Sequence, residues 1–161
     1  MKTRRHLTAT AAIVLPCPPE QALPAIWDIQ NIERCEVKAD RVDVHPTDAH
    51  AGSYDVRGRF AGVPWRGRFE YELDARGFHS RTADVPRNEA TVEGGFVLTP
   101  LGEDQSTVIH YEQYVLVPWL APLSGLVRAY LRWSMHRELR TLRTLIVDQQ
   151  ATPREPEPAS A

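Results

Sequence analysis

The 161-residue chain is poor in cysteine and has no long hydrophobic run. Two cysteines, Cys17 and Cys35, are too few for a disulfide framework or for a zinc site with four thiolate ligands. We therefore expect a reduced, cytoplasmic protein. No stretch approaches the roughly 20 apolar residues of a membrane-spanning helix, and we predict no membrane span.

The chain also lacks an excess of positive charge, since 19 Lys and Arg residues face 21 Asp and Glu residues and the net charge is −2. A domain-wide basic surface for gripping phosphate backbones is excluded, so we predict no nucleic-acid partner.

Motifs for metals, cofactors and nucleophilic catalysis are missing too. None of the six histidines forms a His-x-x-x-His pair or a zinc-like spacing with cysteine. The chain contains no Gly-x-Gly-x-x-Gly sequence, no phosphate-binding loop and no nucleophile elbow. We accordingly predict no metal site and no cofactor. Cys35 has two interpretations, a buried small apolar residue or a reactive thiol, and the first is favoured.

Periodicity divides the chain into one domain and two short ends. We predict a flexible N-terminus over residues 1–7, with no cleaved signal peptide because no Ala-x-Ala site follows the apolar stretch. The domain spans residues 8–148. Residues 149–161 end in a proline-rich segment without apolar residues to bury, and we predict that they form a disordered tail.

Within the domain, Thr8 to Leu15 alternates as a strand, and Pro18-Pro19-Glu20 opens a helix that runs to about Ile29. From Glu36 to Val117 the hydrophobic period is two, which predicts strands separated by turns. One of those turns is expected at Pro86-Arg87-Asn88. A long helix follows Pro118. Strands followed by one long helix are typical of an α+β fold with an antiparallel sheet.

Several short segments carry a resemblance to a known superfamily. They are Pro18-Pro19-Glu20, Ile26-Trp27-Asp28-Ile29, Asn31-Ile32-Glu33-Arg34-Cys35, Gly52-Ser53-Tyr54 and the helical residues 139–146. In this order the chain resembles the START-like, helix-grip superfamily, also called SRPBCC, and its polyketide cyclase/dehydrase branch. The resemblance implies a curved antiparallel sheet of about six to seven strands wrapped around the C-terminal helix. It also implies a cavity under that helix that holds lipids, sterols, polyketides or other hydrophobic small molecules.

A predicted hairpin supplies most of the candidate cavity wall. With a four-residue turn at 61–64, Phe60 would face Trp65 and Gly58 would face Gly67. The shared inner face would then consist of Tyr54, Val56, Gly58, Phe60, Trp65, Gly67, Phe69 and Tyr71. An opposed glycine pair would leave room for a flat ligand. The alternative is that helix side chains fill this space and the aromatic residues are ordinary core.

Further candidate ligand-binding residues come from two later strands and the long helix. Phe96 is expected to face inward. On the last strand Tyr111 and Gln113 are assigned inward, and His110 and Glu112 outward, although a bulge would exchange the two sets. Tyr130 and Ser134 could point polar groups into the space from the helix. This assignment contains no inward base, so no catalytic residue is predicted.

The hairpin's other face carries Arg57, Arg59, Arg66 and Arg68. Nearby acidic residues favour a solvated mixed face, and the alternative is an anionic partner such as an acyl-carrier protein.

We predict that the cavity binds a hydrophobic, aromatic or polycyclic small molecule, in a polyketide cyclase/dehydrase-like role in secondary metabolism. The alternatives are a non-catalytic carrier or sequestering (resistance) protein, and an interaction module like the superfamily's co-chaperones. An inward base would favour the enzyme, a cavity without one would favour sequestration, and a filled core would favour the interaction module.

Overall fold

A computed structural model describes residues 5–83, 91–118 and 120–151. The predicted turn at residues 86–88 and the tail beyond residue 151 lie outside this range. The regular elements in chain order are β1 (Arg5–Leu15), α1 (Pro19–Trp27), α2 (Asn31–Cys35), β2 (Arg41–Pro46), β3 (Ala51–Phe60), β4 (Val63–Asp74), β5 (Gly77–Thr82), β6 (Thr91–Pro100), β7 (Ser106–Leu116), a 3₁₀ turn (Ala121–Leu123) and α3 (Ser124–Ala151).

The strands form one antiparallel sheet in the order β1-β7-β6-β5-β4-β3-β2. Apart from β1, which joins the edge beside β7, each strand pairs with its neighbour in the chain. Helix α3 packs mainly against β1, and the two short helices lie beside it. The indole Nε1 of Trp27 fastens α1 to the turn between β4 and β5 by donating to the carbonyl oxygens of Asp74 (3.0 Å) and Gly77 (3.1 Å). The predicted α+β architecture is confirmed.

The ends of the folded unit differ from the predicted ones by a few residues. Strand β1 starts at Arg5 and pairs Leu7 with Tyr114, so residues 5–7 belong to the sheet and not to a flexible N-terminus. Burial of the Leu7 side chain explains the extension. At the other end, α3 continues to Ala151, three residues past the predicted boundary.

The β3–β4 hairpin has a shorter turn than predicted. Ala61 and Gly62 both have positive φ, 49° and 84°, and Phe60 pairs with Val63. Positive φ at both central residues is the type I′ geometry, whose twist matches that of the flanking strands. The register therefore shifts by two residues, which leaves each side chain on its predicted face but changes its partner. Gly58 faces Trp65, and the predicted Gly58–Gly67 pair is wrong.

The predicted facing of β7 is also wrong. His110 and Glu112 are buried, whereas Gln113 is exposed and Tyr111 lies on the outer face with it. Regular pairing with β1 and β6 along the whole strand fixes this alternation, because Ala11 and Phe96 both sit opposite His110 on the inner side.

Helix α3 turns an apolar stripe toward the sheet and α1–α2. Its buried residues recur every three or four positions, and they are Val127, Leu131, Ser134, Met135, Glu138, Leu139, Leu142 and Ile146. A glutamate in this stripe is unexpected, because a carboxylate is rarely buried without a partner. No helix among the described residues is long and apolar enough to cross a membrane.

Candidate functional site

A partly open cavity of about 950 Å³ lies between the inner face of the sheet and the helices. Its lining includes the aromatic rings of Tyr54, Phe60, Trp65, Phe69, Phe78, Phe96 and Tyr114. Tyr54 stacks on Phe69 with ring centroids 5.2 Å apart, and Trp65 meets Phe69 edge-on at 6.2 Å. The helix side chains therefore do not fill the space, and its volume is in the range that holds a drug-sized molecule.

Only part of the predicted site lies on this cavity. The predicted residues on its wall are Tyr54, Val56, Phe60, Trp65, Gly67, Phe69 and Phe96. Gly67 is flanked by the rings of Trp65 and Phe69, since a Cβ there would stand 3.1 and 3.0 Å from their nearest atoms. That these residues bind a ligand stays a prediction.

Gly58 and Tyr71 share the inner parity but do not line the cavity. A Cβ at Gly58 would lie 1.8 Å from the carbonyl oxygen of Lys38, so this glycine lets the loop after α2 cross the strand. Tyr71 is buried beside Tyr54, with ring centroids 6.1 Å apart. Both positions therefore serve packing.

The other four predicted residues are also elsewhere. Tyr111 stacks on His79 on the outer face, and Gln113 is exposed. Tyr130 packs against Phe60 with ring centroids 4.8 Å apart, behind the cavity wall. Ser134 donates its hydroxyl to the carbonyl of Leu131 at 3.0 Å, so its hydrogen-bonding capacity is used within the helix.

A cluster of buried charges forms the polar part of the wall. The ammonium of Lys38 lies 2.9 Å from Oε1 of Glu112, 3.2 Å from Oε1 of Glu36 and 3.4 Å from Oε1 of Glu138. His110 places Nδ1 3.2 Å from Oε2 of Glu138 and Nε2 3.7 Å from Oε1 of Glu112. All five residues border the cavity. Among the described residues, no group of three or more His, Cys, Asp or Glu side chains could hold a metal ion.

Different elements bring these groups together. Glu112 lies opposite Gly94, where a Cβ would stand 3.2 Å from its Cγ and 2.6 Å from the carbonyl oxygen of Tyr111. The ring of His110 stacks on Phe96 with centroids 4.4 Å apart. Tyr114, two residues beyond Glu112 on the same face, donates its hydroxyl to Oε2 of Glu112 at 2.9 Å.

The loop between α2 and β2 carries Lys38, and the hairpin holds that loop in place. The carbonyl oxygen of Lys38 accepts from the indole Nε1 of Trp65 at 2.8 Å and from the backbone N–H of Arg59 at 3.2 Å. Trp65 thus both lines the cavity and positions the cation.

Burial and neighbouring charges move the pKa values in opposite directions. Burial raises the pKa of Glu36 to about 7, against the opposing effect of Lys38. Burial also opposes the charge of Lys38, yet Glu112 and the other acidic groups hold its pKa well above the ordinary value. For Glu138, Lys38 and His110 outweigh the effect of burial and lower the pKa. Lys38 and Glu138 are therefore held in their charged forms, whereas the pKa of Glu36 lies near neutral pH.

Sequence reasoning missed this cluster although two signals point to it. Glu138 falls at core spacing, four residues after Ser134 and four before Leu142. His110 and Glu112 share their parity with Val108 and Leu116, both of which are buried. Lys38 lies in a loop without periodicity and gave no such signal.

Cys35 borders the same cavity and is buried. Burial, with the nearby charge of Glu138, raises the pKa of its thiol to about 11. A thiol with this pKa is a poor nucleophile at neutral pH, which favours the interpretation as a small apolar residue.

The arginine-rich face of the hairpin reaches the cavity as well. Arg57, Arg66 and Arg68 are exposed, as their outward parity predicts, and they also border the cavity. Arg59, on the same face, does not.

A curved antiparallel sheet around a long C-terminal helix, with a large cavity between them, defines a START-like protein of the helix-grip fold. The chain belongs to the family described as "Polyketide cyclase / dehydrase and lipid transport", whose model matches residues 6–147. No curated protein sequence matches the chain significantly.

Solved structures share the fold at low sequence identity. The protein TTHA0849 from Thermus thermophilus superposes with a TM-score of 0.75 and 18% identity, covering 89% of this chain and 99% of that one. The Zhui aromatase/cyclase from Streptomyces sp. R1128 gives 0.68 and 12%, covering 91% and 94%. A START superfamily protein from Mycobacterium smegmatis gives 0.59 and 14%, covering 92% and 100%. The resemblance in the sequence to the START-like superfamily is thereby confirmed.

Proposed function

We propose that this protein binds an aromatic or polycyclic ketone in the cavity and catalyses its enolisation, in a polyketide cyclase/dehydrase-like role in secondary metabolism. The observation that carries the proposal is an inward acid–base group on an aromatic cavity, namely Glu36 beside Lys38. An inward base separates an enzyme from a carrier of the same fold. The family and the similar aromatase/cyclase structure support the choice of chemistry.

Glu36 has the properties that a general base needs. Its side chain is 23% exposed, whereas those of Glu112 and Glu138 are 9% and 2% exposed, so Glu36 is the carboxyl of this cluster that is most open to a bound molecule. Its pKa of about 7 lies near the working pH, where proton transfer in both directions is efficient.

In the proposed step, the Glu36 carboxylate removes a proton from the carbon next to the ketone, and the electron pair moves onto the carbonyl oxygen. The ammonium of Lys38, 3.2 Å from Glu36, is the neighbouring positive charge that favours the resulting enolate. Glu112 and Glu138 hold Lys38 in place, so this charge is already oriented before the reaction. The aromatic walls fix the plane of the ligand and exclude water.

The test uses 2-tetralone, an aromatic bicyclic ketone, deuterated at the carbons next to its carbonyl. We expect the wild-type protein to accelerate loss of the deuterium, followed by proton NMR, and the Glu36→Gln variant to bind 2-tetralone but lose the acceleration. Glu72→Gln is the matched control, because Glu72 is an exposed residue of β4 that does not border the cavity.

The outcomes separate the competing functions. Binding of 2-tetralone without faster exchange would contradict the enzyme and favour a carrier or sequestering protein. Exchange that survives in Glu36→Gln would contradict the role of Glu36. Absence of any small-molecule binding would favour an interaction module. An acyl-carrier protein as the source of the ketone stays a prediction.

A further inference from the structure

Three arginines stand side by side on the outer face of the sheet. The register places Arg41 opposite Arg57 and Arg57 opposite Arg66, across β2, β3 and β4. Directly opposed residues in an antiparallel pair have Cβ atoms about 4.5–5.5 Å apart, and like charges there are destabilising. A row of this kind lowers stability unless anions offset it.

Acidic neighbours offset only part of this row. Arg41 bonds to Asp43 at 3.0 Å, and Arg68, next along β4 on the same face, reaches Asp55 at 4.0 Å. Arg57 and Arg66 have no carboxylate within ion-pair distance in the described ranges 5–83, 91–118 and 120–151. Within these ranges, the two adjacent guanidinium groups therefore have no anionic partner.

The position of these two groups connects them with the cavity. Arg57 and Arg66 border the cavity, and so do Trp65 and Gly67, the neighbours of Arg66 in the chain. One molecule can thus place an apolar body among the aromatic rings and a head group against the guanidinium pair. Charge favours this orientation, because the ammonium of Lys38 at the inner end is already paired with two carboxylates, Glu112 and Glu138.

We propose that the ligand of this cavity is an anionic amphiphile, whose carboxylate or phosphate group binds Arg57 and Arg66. The inference rests on the proposed function in that it requires the cavity to hold a hydrophobic molecule, and it narrows the ligand class from neutral compounds to acids. Paired guanidinium groups suit such heads because each can donate two parallel hydrogen bonds to a carboxylate or phosphate.

The test compares cis-parinaric acid with its methyl ester, which have the same fluorescent chain and differ in the charge of the head group. In fluorescence titrations at pH 8, we expect the wild-type protein to bind the acid at least ten-fold more tightly than the ester. In the double variant Arg57→Gln/Arg66→Gln, the affinity for the acid should fall to within about three-fold of that for the ester, and the affinity for the ester should not change. High salt should weaken the binding of the acid and leave the binding of the ester unchanged.

Arg59→Gln is the matched control, since Arg59 lies on the same strand and face and has no ion pair within the described residues but does not border the cavity. It should keep the preference for the acid. Displacement of the acid by lysophosphatidic acid would assign a phosphate head to the site, and its failure would restrict the site to carboxylates. Inorganic phosphate at the same concentration should displace nothing.

Equal affinity for acid and ester in the wild-type protein would overturn this inference and leave the proposed function standing. If Arg59→Gln lost the preference for the acid to the same extent, the preference would come from the general positive charge of this face, and the inference would be overturned. Displacement of the acid by inorganic phosphate would also overturn it, because the site would then bind free anions. Binding of neither probe would also overturn this inference, and the deuterium exchange of 2-tetralone would then decide separately whether the proposed function stands.

Discussion

Replacing Lys38 by methionine removes the ammonium group that lies among Glu36, Glu112 and Glu138. The side chain is 3% exposed and approaches the three carboxylates at 2.9–3.4 Å. Removing one partner of a buried ion pair leaves an uncompensated buried charge and costs about 3–5 kcal/mol. We expect Lys38→Met to lower the free energy of unfolding at pH 7 by this amount, and the melting temperature by roughly 10 °C for a chain of this size.

Urea denaturation at pH 7 and pH 5 measures the effect. Without Lys38 the effect of burial on Glu138 is less opposed and the pKa of this carboxyl rises, so the stability deficit relative to wild type shrinks as the pH falls. The triple variant Lys38→Met/Glu112→Gln/Glu138→Gln removes the charges together and should recover most of the lost stability. A fall in the free energy of unfolding of less than about 1 kcal/mol at pH 7, or an equal fall at both pH values, would refute the claim that Lys38 compensates buried carboxylates.

Three further predictions concern single residues. Gly58→Ala should destabilise the fold strongly, because its Cβ would lie 1.8 Å from the carbonyl oxygen of Lys38. Gly67→Ala should cost far less stability, because its Cβ would meet the side chains of Trp65 and Phe69. Equal losses of melting temperature in the two variants would contradict this prediction. The pKa of Glu36 is raised from 4.5 to about 7, so the folded protein holds this proton more tightly than the unfolded chain does. The protonated side chain therefore contributes to the free energy of unfolding below pH 4.5, and this contribution is lost as the pH rises through 7. Between pH 4.5 and pH 7, the free energy of unfolding of Glu36→Gln should therefore rise by up to about 3 kcal/mol relative to that of the wild type, as measured by urea titration. The same difference between the two proteins at both pH values would argue against the raised pKa. The Cys35 thiol, with its pKa raised to about 11, should react with Ellman's reagent at pH 8 only upon unfolding, and rapid labelling of the folded protein would show an accessible thiolate.

The fold could be predicted from the sequence because local signals agree over long stretches. The alternation in β3 and β4 placed the aromatic residues of both strands on the inner face, and the spacing in α3 identified its buried stripe. The hairpin register could not be predicted in the same way, because Ala61 adopts a positive φ that alanine seldom takes. A four-residue turn and a two-residue turn give the same facing, so alternation alone does not separate them.

The polar end of the site was beyond prediction for a different reason. Assigning polar residues to the outside is correct for most strands, and β7 breaks that pattern because His110 and Glu112 find partners in Glu138 and Lys38. These partners come from a helix and a loop far apart in the chain. The preference for burying a charge only with its partner becomes informative once the tertiary structure shows which groups meet.

The most direct test of the central claim, that the cavity holds a hydrophobic small molecule, is native mass spectrometry of the protein purified from its own host. Val92→Trp places an indole in the cavity, and Val97→Trp, on the outer face of the same strand, is the control. We predict a bound small molecule in the wild-type protein and in Val97→Trp, and none in Val92→Trp. The same adduct in all three proteins, or none in the wild type, would contradict the account.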